Sequence, residues 1–334
     1  MPISDYKVVS QTYWHKGEII DYGVNMCGAP LEWPETMGEG IRVGIIDTGI
    51  DYNHVDLKNR IKAMINFTSK DRKDVYDQNG HGTHVAGIIA AEKNGVGVVG
   101  VAPKADLYIA RAFDKNGNGE FEAIKNSLEW MIEQNVHIIN MSFSSNKGSD
   151  KYHNIISKCY KAGITMVCAA GNDGESAGDT IGFPARYPEC IAVVAVDINK
   201  KSAPFSSRGP KAEIAAAGKD IYSCFSRNSY ARLSGTSMAT PIISGCAALL
   251  QAKGIRRFKR RLTPDEIRLL LNVYTEDISE YGHDSTYGYG VFSFGRINTP
   301  ETVLAKTSVI NSRYARSPRV ASFISAMLRK PFLV

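Results

Sequence analysis

Residues 235–239 read Gly-Thr-Ser-Met-Ala, and an almost wholly apolar run continues from them to Leu250. Small residues around one hydroxyl, followed by such a run, predict that Ser237 lies in the first turn of a buried helix. This turn offers free backbone N–H groups and the positive end of the helix dipole, which stabilise negative charge beside it. Ser237 is therefore a candidate nucleophile, provided that the chain also supplies a base and a group that orients the base.

The rest of the chain alternates between apolar runs typical of buried strands and stretches with helical spacing. Strands over 41–46, 105–110, 136–141, 164–169, 190–196 and 213–217 are predicted, with helices over 80–91, 121–132 and 152–161. Strands that alternate with helices imply right-handed βαβ units. The predicted fold class is α/β, in three layers: a mostly parallel twisted sheet with helices on both faces. Residues 1–33 show no regular pattern and are interpreted as an irregular lead-in.

The composition is typical of a globular protein with a sizeable core. The chain has 334 residues, of which 43% are hydrophobic and 22% charged, enough for one large α/β domain or two smaller ones. Its six cysteines contain no CxxC pair, so we expect reduced, buried thiols. Residues 1–7 have no apolar run, and no stretch is apolar enough to span a bilayer. We therefore expect a cytoplasmic protein without a signal peptide or a membrane partner.

The net charge of +6 is unevenly distributed along the chain. Residues 299–334 contain six lysines and arginines against one glutamate, a net charge of +5, so the remainder carries only +1. A nearly neutral main domain gives no reason to expect a nucleic-acid partner. We divide the chain into an N-terminal extension (1–17), a main domain (18–298) and a basic amphipathic tail (299–334).

Three further segments carry groups suited to catalysis. Asp47 follows a predicted strand in Ile-Ile-Asp-Thr-Gly-Ile-Asp, His81 stands in Gly-His-Gly-Thr-His-Val-Ala-Gly, and Asn172 ends Ala-Ala-Gly-Asn. A carboxylate, an imidazole and a hydroxyl are the groups of a proton-transfer triad. Their chain order (Asp, His, Ser) and their contexts resemble the subtilisin-type serine proteases. Without a signal peptide, the intracellular subtilisins are the most similar group.

The resemblance extends over about residues 22–297 and implies a role for each motif residue. Ser237 would attack the peptide carbonyl, His81 would take its proton and pass it to the leaving amine, and Asp47 would hold the imidazole tautomer. The side-chain amide of Asn172 and the backbone N–H of Ser237 would stabilise the oxyanion. The implied activity is that of a serine endopeptidase acting on extended or unfolded polypeptides through an acyl-enzyme intermediate.

The same residues allow other interpretations. The fold alone would also suit a non-catalytic binding protein. An α/β-hydrolase esterase would need a Gly-x-Ser-x-Gly elbow, which Ser237 lacks, and the order Ser, Asp, His. His81 and His84 form an H-x-x-H pair that could suggest zinc, but the acidic residue of an HExxH arrangement is absent. We interpret His84 as a packed structural histidine.

Residues 95–100 read Gly-Val-Gly-Val-Val-Gly and match GxGxxG. A dinucleotide fingerprint follows a strand and opens a helix, whereas this segment follows a predicted helix and leads into Val-Ala-Pro. In the family that the chain resembles, the matching loop wraps a structural calcium ion, and hard oxygen ligands suit Ca²⁺. The alternative is an ordinary glycine-rich loop. The implied ligands are the side chains of Asp56 and Asn94, the backbone carbonyls of Glu92, Val96 and Val98, and, as a further candidate, Glu18.

The substrate is expected to bind as an extended strand along a sheet edge, with alternate side chains in pockets. The resemblance implies that Ser142, Phe143 and Ser144 form this edge, and that Ala169, Ala170, Gly171 and Gly182 wall the pocket beside the scissile bond. The family usually reads Ser-Leu-Gly-Gly at the edge, so Phe143 and Ser144 add bulk. Acidic residues 173, 175 and 179 predict either a modest preference for basic residues before the cut or a solvated loop.

The two ends of the chain carry separate hypotheses. Intracellular subtilisins have a short inhibitory extension, and the resemblance suggests that residues 1–17 make this chain a zymogen, although a Leu-Ile-Pro-Tyr-like motif is missing. The basic run at 256–261 is interpreted as a solvated loop. The tail predicts docking on its own domain or on a homodimer partner rather than on a membrane surface, because one helical face gathers Val320, Phe323, Ile324, Met327 and Leu328.

Overall fold

The computed structural model describes residues 3, 7–12, 17–279, 281–296, 323, 324, 326 and 327. Its strands are β1 (Lys7–Thr12), β2 (Glu18–Ile19), β3 (Arg42–Asp47), β4 (Ile61–Asn66), β5 (Gly97–Val98), β6 (Asp106–Arg111), β7 (Ile138–Met141), β8 (Thr165–Ala169), β9 (Cys190–Val196), β10 (Ile214–Ala217), β11 (Ile221–Phe225), β12 (Ser229–Ser234), β13 (Thr275–Glu276) and β14 (Val291–Phe292). Its helices are α1 (Tyr22–Met26), α2 (Ala29–Glu32), α3 (His81–Ala90), α4 (Phe121–Glu133), α5 (Asp150–Lys161), α6 (Thr236–Phe258) and α7 (Pro264–Val273).

A nine-stranded sheet in the order β13-β14-β10-β9-β8-β7-β3-β6-β4 forms the centre of the described structure. Every neighbouring pair is parallel except β13 and β14. The predicted parallel sheet is confirmed, and the six predicted strands end within two residues of the observed ones. Strands buried on both faces read as continuous apolar runs, which is why they could be recognised.

Side chains alternate between two cores on opposite faces of this sheet. In β3, Val43 and Ile45 join the core beneath α3 and α6, whereas Ile46 joins the core covered by α4 and α5. The predicted three-layer α/β architecture is therefore confirmed. The parallel strands end at one edge, where open α/β sheets place their ligand chemistry.

The N-terminal lead-in is more regular than its sequence suggests. It contains β2, α1 and α2, and the carboxylate of Asp21 caps α1 by accepting the N–H of Gly23 at 2.8 Å. The strand β1 pairs antiparallel with β12, which also pairs with β11 in a small three-stranded sheet. This sheet was not predicted from the sequence, because β1 and β12 come from distant parts of the chain.

The described part of the tail docks on its own domain. Ile324 and Met327 are buried, and the ring of Phe323 stacks on that of Phe258 at 5.4 Å. The guanidinium of Arg257 donates to the carbonyl oxygens of Ala326 and Met327, both at 2.7 Å. These contacts agree with the predicted apolar face, although Val320 and Leu328 lie outside the described residues.

All six cysteines belong to the described residues, and each is free and buried. This confirms the expectation of reduced, buried thiols. In the described part of the chain, no helix has the length and hydrophobicity needed to cross a bilayer.

Candidate active site

Asp47 and His81 meet where β3 ends and α3 begins. His81 Nδ1 lies 2.8 Å from Asp47 Oδ1, and both side chains are fully buried. Because a carboxylate only accepts hydrogen bonds, Nδ1 carries the proton and donates it. A Cβ at Gly82 would lie 2.3 Å from the carbonyl oxygen of Gly49, so only glycine fits directly after His81. The Asp–His relationship expected from the sequence is present.

Ser237 is the second residue of α6 and is also buried. Its Oγ donates to the carbonyl oxygen of Ser142 at 2.9 Å, and Ser142 Oγ donates in return to the carbonyl oxygen of Ser237 at 2.9 Å. This reciprocal pair holds the residues after β7 against the first turn of α6. The helix α6 also packs on α3, which begins at His81.

The side chain of Asn172 is fixed by the residue before Ser237. Asn172 Oδ1 accepts hydrogen bonds from the backbone N–H and the hydroxyl of Thr236, both at 3.0 Å. A Cβ at Gly235 would lie 3.3 Å from Asn172 Nδ2 and 3.6 Å from the backbone nitrogen of Ser237. Both nitrogen donors therefore lie within 3.6 Å of the point where a side chain at residue 235 would begin, which favours glycine there.

His84 lies one helical turn after His81 but has a different environment. Its Nε2 contacts the carbonyl oxygens of Ile221 at 3.0 Å and Ala231 at 3.1 Å, so this nitrogen carries a proton. Complete burial lowers the pKa of His84 to about 3, which keeps the ring neutral. A nitrogen that donates to two carbonyls is not available to zinc, in agreement with a structural role for His84.

The predicted substrate edge and pocket walls lie together. Gly182 N–H donates to the carbonyl oxygen of Ala170 at 2.9 Å, and Ser145 exchanges two backbone hydrogen bonds with Phe183, at 2.9 and 2.7 Å. Ala169 ends β8, and Gly171 follows Ala170. The segments around 144, 170 and 182 are thus connected by backbone hydrogen bonds.

Phe143 does not add bulk to this pocket. Its side chain is fully buried and packs on Phe113, with ring centroids 4.9 Å apart, in the core covered by α4 and α5. Ile3 belongs to the same core. The expectation that Phe143 narrows the pocket wall is therefore wrong, because its ring turns away into the protein interior.

A cavity of about 470 Å³ lies next to the pocket walls, and its lining includes the acidic side chains of Asp173 and Asp179. Within this cavity, Asp179 pairs with Arg186 at 2.9 Å. This ion pair neutralises one of the two carboxylates that line the cavity. Glu175 is not among the lining residues, which are Asn146, Asp173, Ser176, Asp179, Thr180, Ile181, Phe183 and Arg186.

The loop over residues 92–98 lies around the buried carboxylate of Asp56. Asp56 Oδ1 lies 3.1 Å from Asn94 Nδ2, and Oδ2 accepts the N–H of Val98 at 3.0 Å. Glu18 Oε1 accepts the N–H of Gly95 at 2.9 Å. The segment leads into β6 rather than into a helix, so its GxGxxG pattern is not a dinucleotide fingerprint.

The donor set of this loop fits a hard cation. Asp56 and Glu18 supply carboxylate oxygens, and a Cβ at Gly97 would lie 2.2 Å from Asp56 Oδ2, so the close approach requires glycine. The carboxylate of Glu92 is engaged with Asn59 and Arg60, at 2.8 and 3.3 Å, which leaves its backbone carbonyl for a ligand role. Val96 is partly exposed at the tip of the loop.

One neighbouring cluster was not predicted. His54, Asp56 and Cys224 place a ring nitrogen, a carboxylate oxygen and a sulfur within 4.8 Å of one another. However, His54 Nδ1 accepts the N–H of Asp56 at 3.2 Å, and Nε2 lies 3.0 Å from the carbonyl oxygen of Ser229. Both ring nitrogens are engaged, so the histidine serves the packing around Asp56.

A buried aspartate–histidine pair and a serine in the first turn of a helix, at one end of a parallel α/β sheet, are the features of a serine peptidase. Residues 38–290 match the model of the subtilase family, Peptidase S8. The chain belongs to this family and is a serine endopeptidase.

Several relatives are similar over most of the chain. The intracellular serine protease of Paenibacillus polymyxa is 41% identical over 270 residues, which are 79% of this chain and 82% of that protein. The thermostable alkaline protease of Halalkalibacterium halodurans is 43% identical over 259 residues, covering 78% and 68%. Subtilisin DY of Bacillus licheniformis is 42% identical over 238 residues, covering 71% and 86%.

Proposed function

We propose that this subtilisin-like endopeptidase hydrolyses peptide bonds of extended or unfolded polypeptides through Asp47, His81 and Ser237. The observation that carries this proposal is the fully buried hydrogen bond of 2.8 Å between His81 Nδ1 and Asp47 Oδ1. Since Nδ1 holds the proton, Nε2 is the nitrogen that can accept one, which is the tautomer a general base requires. Asp47 then stabilises the imidazolium that forms.

The chemistry proceeds in two stages. Ser237 Oγ attacks the carbonyl carbon while its proton passes to His81 Nε2, and this proton then leaves with the amine as the acyl-enzyme forms. Water repeats the sequence on the ester: His81 takes its proton, and Ser237 regains one as the carboxylic acid departs. In both stages the carbonyl oxygen becomes an oxyanion.

Asn172 and the backbone N–H of Ser237 would hold this oxyanion. Both nitrogen donors lie within 3.6 Å of the position that a Cβ at Gly235 would take. The amide of Asn172 is oriented by Thr236 before substrate arrives. Donors that are fixed in advance cost no reorganisation when charge develops.

A fluorophosphonate probe tests the nucleophile. It should form a covalent adduct that peptide mass spectrometry places on Ser237, and Ser237→Ala should remove the adduct. Ser234→Ala is the matched control, because its hydroxyl is engaged with Asp220 and should have no part in the reaction. The absence of an adduct both from the full chain and from a chain that starts at Glu18 would instead favour a non-catalytic binding protein. Labelling that persists in Ser237→Ala would identify a different nucleophile.

We further propose that residues 1–17 inhibit the enzyme until they are removed. Support comes from Ile3, which is buried and donates its N–H to the carbonyl oxygen of Gly117 at 2.7 Å. On the other side, β1 pairs Lys7 with Ser234, three residues before Ser237. Ile3 and β1, which precede and follow residues 4–6, therefore both contact the main domain.

A structural calcium ion in the 92–98 loop is also proposed. Asp56, Asn94 and Glu18 would act through side chains, and Glu92, Val96 and Val98 through backbone carbonyls. When bound, the ion would neutralise the buried carboxylate and crosslink the loop to β2, which pairs with β5. The donor set described above supports this proposal.

The cellular location and the partners of this enzyme are also proposed. A cytoplasmic enzyme acting on polypeptides would agree with the name of the intracellular relative from Paenibacillus polymyxa. The interpretation of the basic run at 256–261 as a solvated loop is wrong, because residues 256–258 end α6. Arg257 pairs with Glu35, and Arg260 pairs with Glu266. This supports the expectation that neither nucleic acid nor a membrane is a partner, while a homodimer is to be tested by light scattering.

A further inference from the structure

The helix α3, which begins with His81, has no capping side chain at its own N-cap position. Gly80 occupies this position with a left-handed φ of +101°, and a Cβ there would lie 2.3 Å from the ring of Phe225. Serine, threonine, aspartate and asparagine are the residues that usually supply the capping oxygen. Since none of them fits at residue 80, the N–H groups of this first turn need oxygens from elsewhere in the chain.

The carboxylate of Asp77 supplies these oxygens on both sides of His81. Oδ1 accepts the N–H of Gly80 at 2.8 Å and that of Asn79 at 3.0 Å. Oδ2 accepts the N–H of Thr83 at 2.9 Å and its hydroxyl at 2.7 Å. Asp77 is fully buried, so the loss of this acceptor would leave buried donors without a partner, which is costly. Its negative charge also suits the N-terminal end of a helix dipole.

The backbone around Asp77 is itself held by three other segments. The N–H of Asp77 donates to the carbonyl oxygen of Ile50 at 3.2 Å, and Ser226 Oγ donates to the carbonyl oxygen of Asp77 at 2.7 Å. The guanidinium of Arg111, at the end of β6, donates to the carbonyl oxygen of Tyr76 at 3.2 Å. A carboxylate anchored in this way fixes the position of the helical turn that it caps.

The contact between His81 and Asp47 depends on the same turn, because the two residues belong to different elements, α3 and β3. We propose that Asp77 is a positioning residue, which holds the first turn of α3 so that the imidazole of His81 meets Asp47 and can serve Ser237. The inference rests on the proposed function. Asp77 acts through His81 and not on the substrate, because its described hydrogen bonds lie outside the predicted substrate edge, at residues 50, 79, 80, 83 and 226.

The test begins with Asp77→Asn, which keeps the size of the side chain but places an NH2 group against N–H donors. Because a misplacement of about 1 Å can cost about 100-fold in rate, kcat should fall by about 10- to 100-fold while KM changes little. Asp21→Asn is the matched control, since Asp21 is also a buried aspartate that caps a helix, and this helix (α1) carries no proposed catalytic residue. The control should keep the natural kcat. Steady-state kinetics on one peptide measure both variants.

A double variant separates positioning from a general loss of structure. If Asp77 acts only through His81, Asp77→Asn should have no further effect on kcat/KM once His81→Ala has removed the imidazole. A loss of the same size with and without the imidazole would assign Asp77 a purely structural role and overturn the inference. A natural kcat in folded Asp77→Asn would also overturn it.

A second pair of variants keeps the test decisive if Asp77→Asn does not fold. Thr83→Val removes the hydroxyl that donates to Asp77 Oδ2 and should lower kcat by a smaller factor, whereas Thr83→Ser retains this hydroxyl and should keep the natural kcat. Equal kcat values for the two variants would contradict the inference. Failure of the natural sequence to cleave the peptide, both as the full chain and as a chain that starts at Glu18, would count against the proposed function instead.

Discussion

The side-chain oxygen of Asn172 accepts two hydrogen bonds from Thr236, one from its backbone N–H and one from its hydroxyl, each of 3.0 Å. With the oxygen held in this way, the amide nitrogen is directed towards the space beside Gly235 and the N–H of Ser237. The residue that precedes the nucleophile therefore orients the proposed oxyanion donor.

Replacing Asn172 with leucine, which has a similar size but no donor, should lower kcat. The expected loss is about 100- to 1000-fold, the range known for removal of such a donor in subtilisin, with little change in KM. Thr236→Val should cost less, since the backbone N–H of Thr236 still holds the amide. Steady-state kinetics on one peptide measure both, and a change confined to KM would assign Asn172 to substrate binding.

Removing residues 1–17 should raise the initial rate of peptide hydrolysis. The same effect is expected from Ile3→Asp in the full chain, because a carboxylate cannot occupy the buried position of Ile3 without a large desolvation cost. Ile198→Asp is the matched control, since Ile198 is 62% exposed. Equal initial rates for the full chain and a chain that starts at Glu18 would contradict the proposed inhibition.

Calcium should stabilise the folded chain. A ligand present at 100 times its Kd adds about 2.7 kcal/mol to the free energy of unfolding, so Tm should rise by several degrees between EDTA and Ca²⁺. Asn94→Ala removes one proposed ligand and should weaken the response, whereas Asn116→Ala, in an exposed turn, should retain it. Differential scanning calorimetry on an active-site variant avoids self-digestion. A Tm that is indifferent to Ca²⁺ would remove the proposed site.

Buried histidines should make the fold sensitive to acid. Burial, with the charges of Arg261 and Arg42, lowers the pKa of His137 to about 3, while the unfolded group titrates near 6.5. Between these values the unfolded chain binds a proton that the folded chain does not. The free energy of unfolding therefore falls as the pH falls, by about 1.4 kcal/mol per pH unit for each such group.

His137→Asn should remove this contribution. The asparagine oxygen can accept the N–H of Arg42 in place of His137 Nδ1, which accepts it at 3.0 Å. Urea unfolding at pH 6 and pH 4 should show a shallower loss of stability in the variant, by about 1.4 kcal/mol per pH unit. Identical slopes would mean that His137 titrates alike in the folded and unfolded chains.

The framework of the site could be predicted because its signals are local. The apolar run before Asp47 predicts the end of a strand, and the apolar run after Ser237 predicts the start of a helix. Each prediction is accurate to within a few residues. The order of these motifs then identified the family, which the comparisons confirm. Sequence patterns of this kind assign residues to particular strands and helices. In a parallel sheet the carboxyl ends of the strands lie at the same edge, which brings these residues together.

Contacts between distant residues could not be predicted in the same way. The reciprocal bonds of Ser142 and Ser237 join residues 95 positions apart and leave no pattern in either segment. Likewise, only packing decides that Phe143 turns into the core while Ser144 faces two glycines. The pairing of β1 with β12 was missed for the same reason.

The most direct test of the account is whether His81 and Ser237 act as one unit. We would measure kcat/KM on a single peptide for His81→Ala, Ser237→Ala and the double variant. If His81 serves only to activate Ser237, each single change should cost about 10⁶-fold, as in subtilisin, and the double change should cost no more. If the two losses multiplied instead, the residues would act independently, and the proposed proton transfer between them would be contradicted.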